Sequence, residues 1–78
     1  MTATALRDQL RSQPFRPFDV KTADGDTFRV SHPDFAMISP NEAEIIIYDR
    51  DSHFRIVSMD LIVSLEPARE QQRKPGKR

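Results

Sequence analysis

The stretch FRPFDVKTADGDTFRVSHPDF, from Phe15 to Phe35, decides how this chain folds. Phe18, Val20 and Thr22 alternate with Asp19 and Lys21, the pattern of a strand with one buried and one wet face. Thr27 to Ser31 repeats the pattern, with Phe28 and Val30 against Arg29. Between them lies Asp24-Gly25, a dipeptide that supplies the positive φ angles a tight hairpin needs. His32-Pro33 stops or bends the second strand, because proline donates nothing to a ladder.

The rest of the chain is arranged around this hairpin. Upstream, residues 2–12 read as a short helix capped by Thr2 or Thr4, with Leu6, Leu10 and Ala3 on one narrow apolar stripe. A helix this short needs a partner to pack on. Pro14 and Pro17 end it. Downstream, residues 35–39 form a brief apolar segment, and Glu44 to Tyr48 is the most β-prone run. A turn follows at residues 49–52. His53 to Ser58 then alternates again, with Phe54 and Ile56 expected inward and His53, Arg55 and Val57 on the other face. Ser58-Met59-Asp60 suits a tight turn before a last strand, in which Leu61, Val63 and Leu65 share a face. The expected core is therefore Phe18, Val20, Phe28, Val30, Phe54, Ile56, Val63 and Leu65, with Leu6 and Leu10 laid over one end.

With 78 residues the chain makes one domain with a small core and a net stability of roughly 3–5 kcal/mol. It contains no cysteine, so disulfides and thiolate metal sites are excluded, and a reducing, cytoplasmic location is expected. No apolar run is long enough to span a bilayer, and the first residues lack the basic and apolar regions of a secretory signal. The formal net charge of +0 hides an asymmetry. After Ala68, five cations (Arg69, Arg73, Lys74, Lys77, Arg78) face one acid, Glu70, leaving +4; the body therefore carries −4.

The run F-R-P-F-D-V, the Asp24-Gly25 turn, H-P-D-F and the closing D-L-I-V-S-L-E-P resemble a group of short uncharacterised bacterial proteins. These share an F-x-P-F start, a D-G turn, an H-P-x-F element and a final I-x-x-I/L-E strand. The resemblance covers residues 15–67 and implies no known activity. The order of elements also resembles the Sm-like barrel of bacterial RNA chaperones. Those proteins carry a Lys-His pair just before the last strand, where a ring of subunits grips RNA. The comparable positions here are Met59 and Asp60, and an acid there opposes RNA binding. His32-Pro33-Asp34 matches the J-domain tripeptide, but that motif joins two helices, and here a strand pattern precedes it.

Few residues invite chemistry. His32, Asp34, Asp51 and His53 are the types that could hold zinc, manganese or iron, but their spacing matches no ligand set. Ser31 and Ser52 each adjoin a histidine, yet neighbours in a strand point to opposite faces. The only glycines are Gly25 and Gly76, so no glycine-rich phosphate loop exists. Phe15 and Phe18 could form an aromatic platform, but a small core needs its phenylalanines. The chain reads as a non-enzyme without metal or other cofactor.

The expectation is a mainly β domain with an N-terminal helix. Residues 1–68 would form a small, strongly bent antiparallel sheet or barrel of about five strands, SH3- or Sm-like, and 69–78 a disordered basic tail. The function expected is a small binding or assembly module; the alternative is an Sm-like RNA-binding protein. Ile45-Ile46-Ile47-Tyr48 breaks the alternation and predicts self-association. With Ile45 and Ile47 inward, Ile46 and Tyr48 point out, joined by Val57 and Ile62 if their strands lie nearby. RNA or an acidic protein would meet the tail at Arg69, Arg73, Lys74, Lys77 and Arg78. No membrane partner is expected.

Overall fold

Gly25 takes a φ of 93° and closes the expected hairpin. The Thr22 N–H donates to the Asp26 carbonyl at 3.0 Å, and the Gly25 N–H donates to the Thr22 carbonyl at 3.1 Å. The Thr22 hydroxyl is buried but satisfied: it donates to the Asp24 carboxylate and accepts from the Asp26 N–H. This computed structural model describes residues 2–68. The tail expected at 69–78 lies outside the described residues.

One α-helix and six strands follow in order: α1 (Ala3–Arg11), β1 (Phe18–Thr22), β2 (Thr27–Val30), β3 (Ala36–Ile38), β4 (Glu44–Tyr48), β5 (Phe54–Ser58) and β6 (Ile62–Pro67). One-turn 3-10 helices at Pro33–Phe35 and Met59–Leu61 join β2 to β3 and β5 to β6. The strands form two antiparallel three-stranded sheets, ordered β2-β1-β6 and β3-β4-β5. The mainly β class with an N-terminal helix holds. The described strands number six and form two sheets; they do not form a closed barrel.

Helix α1 starts where its cap dictates. The Thr2 hydroxyl accepts from the Ala5 N–H at 3.3 Å, and Ser12 closes the other end by donating to the Gln9 carbonyl at 3.0 Å. Ala3 and Leu6 are buried and Leu10 packs beside them, as the stripe predicts. Arg7 ties the exposed side to Glu42 at 3.0 Å.

The core contains Ala3, Leu6, Phe18, Val20, Val30, Ile45, Ile47, Val57, Met59 and Ile62, with Phe15, Phe28 and Leu65 packed against it. Phe15 meets Phe18 edge-on at 6.1 Å, so this aromatic pair belongs to the packing and forms no platform. Three expected core residues lie outside instead: Phe54, Ile56 and Val63.

Two local devices account for these reversals. Between β4 and β5, the Asp49 Oδ1 accepts from the Asp51 N–H (2.8 Å) and the His53 N–H (3.0 Å), and Ser52 adopts a φ of 67°. This turn puts Tyr48 opposite Phe54, and Ile45 opposite Val57. Directly paired residues share a face. Ile45 faces the core, so Val57 does too, and Phe54 and Ile56 face away. On β6, the register shifts between Lys21 and Thr22: Lys21 pairs with Ser64, but Thr22 pairs with Ile62. Val63 is left as the extra residue of a bulge, so the core-facing parity changes between Leu65 and Ile62.

Candidate functional site

The two sheets differ in their outer faces. On β2-β1-β6 the outer face is polar, with Asp19 paired to Arg29 at 3.0 Å and Lys21 to Glu66 at 3.7 Å. On β3-β4-β5 it is apolar. Met37 stands opposite Ile46 and Ile46 opposite Ile56, which makes one row across three strands. A second row pairs Tyr48 with Phe54, their rings 5.8 Å apart. Met37 is 57% exposed, Ile56 62%, Phe54 55% and Tyr48 38%. Ile46, between two of these side chains, is half-buried.

Of the four residues expected on an outward patch, Ile46 and Tyr48 are there. Val57 and Ile62 are not: they are buried in the core, at 6% and 2% exposure. Their places on the patch are taken by Met37, Phe54 and Ile56. The five-residue turn between Tyr48 and Phe54 was the available signal, because its length sets which residues pair across it.

A cleft of about 280 Å³ opens between the sheets, on the side of the β4–β5 turn. Phe28 and Arg29 from β2, Phe35, and Tyr48, Arg50, His53 and Arg55 from the second sheet line it. Arg55 lies on the core-facing side of β5, opposite Ile47, and its guanidinium carbon is 5.5 Å from the centre of the Phe28 ring. None of these arginines stood out in the sequence, where charged residues in a turn and on an edge strand read as solvated.

The residues of metal-ligand type are only partly gathered. Asp49, Asp51 and His53 bring potential ligand atoms within 4.8 Å of one another, all exposed. One Asp49 oxygen is already used by the backbone of its own turn. His32 and Asp34 are not in this group; His32 Nδ1 accepts the Asp34 N–H at 3.1 Å and caps the 3-10 turn after β2. Among the described residues, no helix is long and apolar enough to cross a membrane. The five cationic tail residues lie outside the described region.

Comparison with family models, curated proteins and solved structures finds no match.

Proposed function

We propose that the chain is a small non-catalytic assembly module that self-associates through the outer face of β3-β4-β5. The observation that carries this reading is the row Met37-Ile46-Ile56, an apolar stripe in direct cross-strand register on a face turned away from the core.

The occupant we assign is a second copy of the chain. Its own remaining segments are unsuited to the face. Helix α1 spends its apolar stripe on the core, and residues 69–78, REQQRKPGKR, contain no aliphatic or large aromatic side chain. Half-exposed side chains of this size present on the order of 100 Å² each, so the five together offer roughly 500 Å². With the strand rims, a twofold pair approaches the ~800 Å² per partner of a stable interface. Such a pairing is self-complementary: the face meets its own copy about an axis near Ile46.

The strand order supports the finer SH3- or Sm-like reading of the fold. The segment β2 to β3 passes through one 3-10 turn and serves both sheets, as a single strongly bent strand would. The non-catalytic reading is supported by His32, whose ring caps a turn, and by His53, an exposed turn residue. A cytoplasmic location belongs to the same proposal and rests on the absence of cysteine.

Sedimentation velocity on the full chain and two lysine variants tests this. Ile46→Lys should reduce the particle to a monomer. Val63→Lys, on an exposed aliphatic outside the β3-β4-β5 face, should not. A parent that is monomeric at high micromolar concentration, or equal masses for parent and Ile46→Lys, overturns the proposal.

A further inference from the structure

We infer that the cleft between β2 and the β4–β5 turn binds one nucleotide unit, an aromatic base carrying a phosphate. This does not rest on self-association: the cleft opens between the sheets and shares only Tyr48 with the apolar face on the outer side of β3-β4-β5.

The charge pattern points to an anion. The body carries −4 overall, yet Arg50 and Arg55 line this cleft against one acid, Asp49; Arg29 also borders it, with its guanidinium paired to Asp19 at 3.0 Å. Of the body's cations outside the cleft, Arg7 pairs with Glu42 at 3.0 Å and Lys21 with Glu66 at 3.7 Å. Arg50 and Arg55 form no ion pair among the described residues. Asp49 is partly occupied, because one of its oxygens accepts two backbone N–H groups.

Arg55 is also held in place. Its side chain leaves the core-facing side of β5, where a neighbour two positions on, Val57, is packed in the core. The Phe28 ring supports its guanidinium, an arrangement that restricts the side chain while leaving its N–H edge to form a paired bond with phosphate. Arginine suits this better than lysine, whose ammonium is a point charge with no planar fork.

The remaining walls explain why the anion should carry a base. Phe35 and Tyr48 line the same cleft, and aromatic faces stack on any base. Tyr48 is exposed enough to be reached. The volume of about 280 Å³ lies just below the usual span for ligand clefts, roughly 300–1,000 Å³, which suits one nucleotide and not a dinucleotide. Met59 and Asp60, the positions comparable to the RNA grip of Sm-like proteins, line no part of it. The ligand is either a free mononucleotide or one unit of a single strand, and the two share this chemistry.

The test is an NMR titration of the full chain with uridine 5′-monophosphate, uridine, inorganic phosphate and a hexauridylate RNA. Amide shifts should concentrate in residues 27–31 and 47–55. Uridine and inorganic phosphate should each bind at least about tenfold more weakly than the nucleotide, because each meets only half of the site. The double variant Arg50→Gln/Arg55→Gln should lose at least about tenfold in affinity while keeping its dispersed spectrum, and Arg16→Gln, remote from the cleft, should lose nothing. Arg55→Lys, which keeps the charge and the fold, should fall between parent and double variant. A strand that binds more tightly than the monophosphate at the same residues identifies nucleic acid as the source; equal affinity identifies the free nucleotide. Shifts centred elsewhere, affinity unchanged in the double variant, or no shift at about 5 mM monophosphate overturns the inference.

Discussion

Val57 stands directly opposite Ile45 on the inner side of the β4–β5 pair. That one pairing sets the fate of the whole hairpin. It buries Val57, turns Ile46 and Ile56 outward together, and brings Arg55 over Phe28.

Truncations on the two faces should therefore differ. Ile45→Ala should cost about 2–5 kcal/mol, which consumes most of the stability of so small a domain. Ile56→Ala, on the exposed side, should cost less than about 1 kcal/mol when measured at low micromolar concentration. Urea unfolding of both variants checks this. A larger loss for Ile56→Ala would mean that the register of β5 is shifted by one residue.

Self-association leaves a signature in stability. A species that binds only the folded state raises the melting temperature by mass action. The parent should melt at a higher temperature as its concentration rises from about 10 to about 1,000 µM, whereas Ile46→Lys should melt at one temperature throughout. Scanning calorimetry at several concentrations reads the difference, and a parent curve independent of concentration would speak against the assembly.

The two threonines at the start of the chain, Thr2 and Thr4, should not be equivalent. Thr2 accepts from the Ala5 N–H and Thr4 is an exposed helical residue. Thr2→Ala should destabilise by about 1 kcal/mol. Thr4→Ala should be neutral or slightly stabilising, because alanine is the better helix former. Denaturant midpoints of the two variants settle which residue is the cap.

Gly25 offers a test of backbone strain without steric change. A Cβ at this position would meet nothing within 4 Å, so only the φ of 93° opposes a side chain. Gly25→Ala should cost about 1–2 kcal/mol, and Gly25→Asn less, since asparagine tolerates the left-handed region. If alanine proves neutral, the hairpin closes through a different turn.

How far the sequence reached depended on whether a residue's fate was decided nearby. The β1–β2 hairpin was legible from Asp24-Gly25 and from strands whose polar and apolar residues separate cleanly onto two faces. Thr2, Leu6 and the two prolines marked α1 in the same way. Ile46 and Tyr48 were legible as outward residues because four large side chains in a row cannot all face one core. Sequence failed at β5 and β6. In β5, Phe54 and Ile56 alternate with Arg55 and Val57, so both faces carry apolar side chains and either satisfies the period of two. Choosing between them required the pairing across the Asp49–His53 turn, which a local pattern does not contain. In β6 the β1 partner imposes a bulge at Lys21/Thr22, and one extra residue exchanges the faces beyond it. The apolar patch and the arginine cleft depend on these choices. Alternation states which residues lie together on a face, whereas only the partner strand, through its hydrogen-bond register, decides which face meets the core.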